Sequence, residues 1–219
     1  MNFQRVILGA ATTALLAGSA SAAVLYDQPS NNFGAFSSQN DTASGGFGNF
    51  VTTFDNFTLG SAATIESVDF TGAFFNPVTH GSITGFTIAI SADSSGIPGA
   101  QLYSKFIGGS GGETSLGTDT QGDLVFGYSE NISFSAAAGT QYWLSIVPDL
   151  AFPPQWGWEN SSVGDGAGYQ IFFGSGGAIT SDSAFTLNDT PSKVPEPVTL
   201  SLFGAGIAGA AAMRRRKRK

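Results

Sequence analysis

The chain has no cysteine and a single histidine, His80, among its 219 residues. Without cysteine it can form no disulfide, thiolate metal site or cysteine nucleophile, and one histidine cannot build a multi-histidine zinc or iron centre. Charged residues are also scarce, at 11% of the chain against roughly 25% in an ordinary soluble protein. The length suits one all-β domain with additional sorting segments.

Basic side chains are almost absent from the middle of the chain. Of the nine Lys and Arg residues, six close the chain at 214–219 and Arg5 lies near its N-terminus. Only Lys105 and Lys193 lie between them. Residues 23–193 carry fifteen acidic side chains against two basic ones, a formal net charge of −13. A nucleic-acid-binding protein needs cations for the phosphates, so this class is excluded.

Residues 1–22 have the layout of a secretory signal peptide. A positive charge comes first, an apolar stretch follows, and the small side chains of Ala20 and Ala22 permit cleavage before Ala23. The alternative is a buried N-terminal helix, but the charge before the apolar run and the small residues after it are those of a leader. The run is also too short for a membrane span of ~20 residues. The sequence therefore predicts export across the inner membrane.

The C-terminal end has three parts in a fixed order. Val-Pro-Glu-Pro occupies 194–197, an uncharged stretch rich in Gly and Ala occupies 198–213, and a basic cluster occupies 214–219. As a helix the middle part would be about 24 Å long, which predicts one short transmembrane helix with its cations on the cytoplasmic side. A plain membrane anchor that is never processed is the alternative.

This order resembles the PEP-CTERM sorting signal of Gram-negative bacteria. The matching residues are Pro195, Glu196 and Pro197 in the motif and Arg214, Arg215 and Arg216 in the terminal cluster. The resemblance implies recognition by exosortase, a membrane-bound processing enzyme, and a link to exopolysaccharide and biofilm formation. It also implies an inner-membrane intermediate that is then delivered to the cell surface or the extracellular space.

The middle of the chain is predicted to be all-β. It holds 25 glycines, and apolar residues alternate with polar or small ones in several runs, as at Phe86, Ile88 and Ile90. This pattern predicts eight to ten short strands in an antiparallel β-sandwich, jelly-roll-like, over 23–187. A polar linker is predicted at 188–193, and 28–50, which lacks a clear period, is predicted to be a loop.

Two segments of this domain also resemble uncharacterised extracellular domains that precede such sorting signals. Residues 55–59 resemble an early Asp-Asp-Phe-x-Leu strand, with Asn56 in place of the second acid, and 93–99 resemble a Gly-Pro turn after a sheet strand. The resemblance supports the β-sandwich and implies no activity.

Catalytic motifs are weak. Residues 108–112 satisfy G-x-S-x-G, which acts only on a strained strand-to-helix turn with a histidine and an acid nearby; in a glycine-rich β protein a flexible turn is favoured. The G-x-G-x-x-G at 204–209 lies in the C-terminal span, without the βαβ unit of a dinucleotide site. Carboxylates for glycoside cleavage are available at Glu113, Glu130 and Glu159, but the spacing selects no pair.

Two ligand hypotheses follow from the loop and aromatic residues. A structural calcium ion would take carboxylates in glycine-rich loops, and the candidates are Asp93, Asp119, Asp123 and Asp165. Sugar binding would use Trp156 and Trp158, which lie two apart and hence on one face of a strand. The alternative is that both tryptophans fill the core. No other cofactor is predicted.

Together these features predict an exported, cell-surface protein with a structural or adhesive role and no catalytic activity. A carbohydrate-binding module and an exopolysaccharide hydrolase are the alternatives. The expected partners are exosortase, the membrane before processing, and exopolysaccharide.

Overall fold

The computed structural model describes residues 23–189, which form fifteen β-strands and no helix. The strands are β1 (Val24–Gln28), β2 (Ser30–Ser37), β3 (Gln39–Asp41), β4 (Gly48–Thr58), β5 (Ala63–Phe75), β6 (Gly85–Asp93), β7 (Pro98–Gly108), β8 (Thr114–Thr118), β9 (Leu124–Ala136), β10 (Gln141–Leu150), β11 (Gln155–Ser161), β12 (Gly168–Phe172), β13 (Ser175–Ile179), β14 (Asp182–Ser183) and β15 (Phe185–Asn188). The all-β prediction is confirmed for this range.

Eight strands form sheet A, which is organised around the long strand β5. The sheet runs β1-β15-β5-β11-β14, with β9 also paired to β5, β8 to β9 and β2 to β11. All of these pairings are antiparallel. Strand β9 follows β5 along almost its full length, while β15 and β11 pair with successive parts of it.

Seven strands form sheet B, in the order β13-β12-β4-β3-β10-β6-β7. One pairing corrects the purely antiparallel prediction: β3 runs parallel to β10, with Asn40 opposite Asp149. Because β3 and β10 both pair antiparallel with β4, they must run in the same direction where they meet. The jelly-roll connectivity stays a prediction.

The two sheets pack around one apolar core, which makes the fold β-sandwich-like. Ile88 and Leu144 enter this core from sheet B and Val68 and Leu187 from sheet A, and all four are fully buried. The predicted alternation in β6 is confirmed, since Phe86, Ile88 and Ile90 point inward. Each such side chain contributes about 1.5–3 kcal/mol of burial free energy.

Two segments differ from the prediction. Residues 28–50, predicted to be a loop, contain β2, β3 and the start of β4. Asn32 and Gly34 have positive φ within β2, and such irregularities hide the period of a strand. Strand β15 ends at Asn188, one residue beyond the predicted domain, so the linker predicted at 188–193 begins inside the sheet.

The N- and C-terminal sorting segments lie outside the described residues. This applies to the predicted signal peptide at 1–22 and to the predicted transmembrane helix at 198–213. Within 23–189, no helix could cross a membrane.

Candidate functional site

Trp156 and Trp158 lie in the core rather than on a sugar-stacking surface. Both side chains are fully buried on the inward face of β11. The indole N–H of Trp158 donates to the carbonyl oxygen of Ala184 at 2.9 Å, and that of Trp156 donates to the hydroxyl of Tyr128 at 3.3 Å. Neither ring offers a face to a sugar, so the structure favours the core interpretation of this pair.

Two of the aspartates proposed for calcium hold turns and side chains in place. Asp93 accepts hydrogen bonds from the indole N–H of Trp143 at 2.9 Å and from the amide of Gly96 at 3.1 Å. Asp165 accepts hydrogen bonds from the side-chain amide of Asn56 and, at 3.0 Å, from the backbone of Ala167. These carboxylates already have N–H partners.

Asp119 and Asp123, in contrast, do lie together in the turn between β8 and β9. Asp119 accepts backbone N–H groups of Gly34 and Asp123 at 2.8 Å and of Gln121 at 2.9 Å. Within residues 23–189, no group of three or more His, Cys, Asp or Glu side chains is arranged to hold a metal ion. The predicted calcium ligands therefore do not converge on one site.

A fully buried acid, Glu159 on β11, lies beside this turn. Its Oε2 accepts a hydrogen bond from the hydroxyl of Ser30 at 3.0 Å, whereas its buried Oε1 accepts no hydrogen bond from the described residues. Burial raises the pKa of Glu159 to about 7, the Ser30 bond opposes this shift, and the charges of Asp119 and Asp123 add to it. The neutral form of Glu159 therefore predominates in the folded protein below about pH 7, well above the range in which a free glutamate is neutral.

Two further acids are shifted in the same direction. Burial raises the pKa of Asp55 to about 7, although Asp55 accepts a hydrogen bond from the side-chain amide of Gln28 at 2.7 Å. Burial also raises the pKa of Glu130 to about 7, with Lys105 opposing the shift. Raised carboxyl pKa values occur in acid catalysts, but Asp55 and Glu159 are fully buried and Glu130 is nearly so.

A hydrogen-bonded chain of four side chains joins the surface to the core. His80 Nε2 lies 2.8 Å from Glu113 Oε2, while Glu113 Oε1 accepts the hydroxyl of Tyr128 at 2.9 Å. The Tyr128 hydroxyl in turn accepts the indole N–H of Trp156. Burial raises the pKa of Tyr128 well above its usual range, so its hydroxyl stays a donor. Sequence reasoning singled out His80 and Glu113 separately and missed their pairing, which spans 33 positions.

The G-x-S-x-G segment at 108–112 does not form a nucleophile elbow. It connects β7 to β8, two strands, rather than a strand to a helix. Within the described residues, the hydroxyl of Ser110 makes no hydrogen bond to His80, whose Nε2 faces Glu113. The flexible-turn interpretation therefore fits the structure.

The outward face of sheet B forms a concave groove that sequence reasoning missed. In β6 and β10 the outward residues alternate with the core residues Ile88 and Leu144, yet several are themselves shielded. Ser145 is only 4% exposed and Ser91 only 5% exposed, so the floor of the groove lies below the surrounding surface. The groove encloses about 400 Å³ and is lined by neutral residues. We call it the sheet B groove; its polar lining includes Asn49, Thr52, Thr87, Ser91, Gln101 and Ser145.

One end of the sheet B groove is formed by the hairpin of β12 and β13. Ile171 and Gly174 of this hairpin line the groove. The adjacent Phe172 and Phe173 are 46% and 57% exposed, and their ring centroids are 4.9 Å apart. These two rings do not line the groove and pack against Phe50 instead.

One comparison with known proteins is informative about sorting. The PEP-CTERM protein-sorting motif matches residues 193–217, which confirms the sorting signal predicted at 194–219. A motif of this kind indicates processing by exosortase and export to the envelope or surface of a Gram-negative cell. No curated protein and no solved structure matches the chain.

Proposed function

We propose that the protein is a non-catalytic component of the extracellular matrix or cell surface, released from the membrane by exosortase and associated with exopolysaccharide. The single observation that carries the proposal is the sorting motif at 193–217. The motif determines where the protein is delivered, whereas its role outside the cell depends on the folded body at 23–189.

The fold of the body is compatible with removal of both sorting segments. Ala23 and Asp189, the first and last described residues, are hydrogen-bonded to each other, with Ala23 N 2.8 Å from Asp189 Oδ1. Within the described residues, the core cluster and the side chains packed against it run from Leu25 to Leu187. The contacts among these residues do not involve the segments that processing would remove.

The placement of the acidic residues supports a non-catalytic role. Hydrolysis of a glycoside needs two carboxyl groups that face a substrate across a cleft. Glu159 is fully buried, and both carboxylate oxygens of Glu113 are hydrogen-bonded, one to His80 and the other to Tyr128. Neither carboxyl lines the sheet B groove.

A second candidate function, carbohydrate binding, is favoured by the sheet B groove. It places several hydroxyl and amide side chains in one concavity at the surface of the body. This candidate is compatible with the first, since a matrix protein that binds a glycan would be held in the matrix.

The proposal is tested by following the full-length protein in its native host. We expect the wild type to reach the surface without its C-terminal segment. Glu196→Gln, or deletion of 214–219, should leave a precursor of higher mass in the inner membrane. Glu66→Gln is the matched control, since it makes the same chemical change on β5. Normal processing and release of the Glu196→Gln protein would contradict the proposal.

A further inference from the structure

The floor of the sheet B groove is built from small side chains on central strands. Ser145 lies opposite Ala89 on one side and opposite Phe54 on the other, so β6, β10 and β4 together form the floor. Val147, 5% exposed, continues the floor along β10. Small residues at the centre and larger ones at the sides produce the concavity.

The polar side chains of the groove have unused hydrogen-bonding capacity. Within the described part of the chain, no hydrogen bond engages the hydroxyls of Thr87, Ser91 and Ser145 or the side-chain amide of Gln101. Hydroxyl groups can donate and accept, and an amide offers both functions at fixed positions. These groups are therefore available to a ligand, where they would replace bonds to water.

The groove also presents apolar surface between these polar groups. Phe54 is half-buried in its wall, and Ile171 lies on the same side. Alternating polar and apolar contacts suit a ligand whose hydroxyl groups alternate with C–H faces, which is the surface of a sugar ring.

We propose that the sheet B groove binds a segment of an uncharged polysaccharide. The inference rests on the proposed extracellular location, where such a polymer is encountered. None of the lining residues is charged, so a polyanion would find no cation and would face a net-acidic protein. The groove volume of about 400 Å³ fits a few sugar units of a longer chain and is too small for a folded domain.

A peptide ligand fits this groove less well. Peptides that bind sheets usually add a strand at an open edge, where backbone groups are unpaired. The groove floor is instead the face of β4, β6 and β10, and the backbone of β10 is already paired with both β4 and β6. The binding groups available there are side-chain hydroxyls and amides.

The test uses the processed protein and a triple variant, Thr87→Val, Ser91→Ala and Ser145→Ala. The three changes remove hydroxyls with almost no change in volume. Thr64→Val, Ser133→Ala and Ser135→Ala are the matched control, since they remove the same groups from β5 and β9 of sheet A. Gln101→Ala, at an exposed position, is a second groove variant in case the triple variant does not fold.

Binding is measured by native affinity electrophoresis in gels that contain dextran, xylan, galactomannan or mixed-linkage β-glucan, with polygalacturonate as the charged probe. We expect at least one neutral polysaccharide to retard the wild type and the control variant equally. The triple variant should bind that polysaccharide at least tenfold more weakly, with an unchanged melting temperature, and Gln101→Ala should also weaken it.

Three results would overturn the proposal: no retardation by any neutral polysaccharide, equal retardation of wild type and groove variants, or retardation by polygalacturonate alone. Fractionation of cells that produce the triple variant separates this inference from the proposed function. If the triple variant is delivered normally to the surface but has lost glycan binding, the result supports the groove and leaves the sorting proposal intact. If the wild type itself is not delivered, sorting is refuted, and the gel result is not altered.

Discussion

The backbone nitrogen of Ala23 lies 2.8 Å from Oδ1 of Asp189, and the amide of Asp189 donates back to the carbonyl oxygen of Ala23 at 3.1 Å. The two ends of the described body are therefore neighbours at the β1–β15 edge of sheet A. Cleavage before Ala23 would turn the backbone N–H into an α-ammonium group beside a carboxylate. Signal-peptide removal would thus convert a hydrogen bond between an uncharged N–H and a carboxylate into an ion pair.

The first prediction concerns this pair. Asp189→Asn should lower the free energy of unfolding of the processed protein by about 0.2–1 kcal/mol, because an exposed ion pair is lost. The precursor should lose less, since an asparagine oxygen still accepts the backbone N–H. Urea unfolding of both forms at low and high salt measures the difference. Asp27→Asn is the control, since among residues 23–189 Asp27 accepts only the uncharged Thr186 hydroxyl, at 2.6 Å. An equal loss in this control would count against the ion pair.

The second prediction concerns the pH dependence of stability. Because burial raises the pKa of Glu159 to about 7, its contribution is fully present below the unfolded value of about 4.3 and is lost as the pH rises through 7. Glu159→Gln imitates the neutral form and should raise the free energy of unfolding at pH 8 by about 1–3 kcal/mol.

The measurement for Glu159 is urea unfolding of wild type and Glu159→Gln from pH 4 to pH 8. The difference between the two proteins should grow with pH and level off above pH 7. Glu66→Gln, on half-buried Glu66, should show a smaller difference. A difference that shrinks as the pH rises would contradict the assignment.

The third prediction concerns the contact between Gly72 and Trp156. A Cβ atom at Gly72 would lie 2.0 Å from Cζ2 of the Trp156 indole, which is fully buried and cannot move outward. Gly72→Ala should therefore lower the free energy of unfolding by about 1–3 kcal/mol. Gly127→Ala is the matched control on β9, because its Cβ would meet Leu116 at an ordinary 3.5 Å. Equal unfolding midpoints for the two variants would show that the core does not constrain this position.

The fourth prediction concerns the chain from His80 to Trp156. Tyr128→Phe removes the hydroxyl that accepts the Trp156 indole N–H and donates to Glu113. A buried N–H would then lack a partner, at a cost of about 1–3 kcal/mol. Tyr103→Phe is the control, since Tyr103 makes an edge contact with Phe134 and no hydrogen bond in the described residues. Urea unfolding followed by tryptophan fluorescence measures both, and equal costs would contradict the role of the hydroxyl.

Sequence periodicity predicted the core strands well because one face of each strand is apolar. Ile88 and Ile90 illustrate this, since Thr87, Ala89 and Ser91, which alternate with them along β6, line the outward groove. Periodicity did not decide whether Trp156 and Trp158 are buried or exposed, because β11 is buried on both faces. Even the side chain of Glu159, on the face opposite the tryptophans, is inaccessible to solvent. The spacing showed that the tryptophans share a face, while the pairing of β2 and β5 with β11 determined which face.

The remaining features depend on contacts between distant parts of the chain. His80 and Glu113 meet only because β5, β8 and β9 bring their loops together, and no local pattern indicates this. The sheet B groove is likewise absent from any single segment. Ser91 and Ser145 look like ordinary outward-facing serines in sequence, and they are shielded by larger side chains on other strands that line the same groove, such as Phe54 and Ile171.

The central claim is that both ends of the chain are removable sorting segments. The most direct test is the intact mass of the protein recovered from the surface or medium of its native host, with and without exosortase. The account predicts a species that starts at Ala23 and lacks the basic C-terminal cluster, and its absence when exosortase is missing. A soluble cytoplasmic protein with the mass of all 219 residues would contradict it.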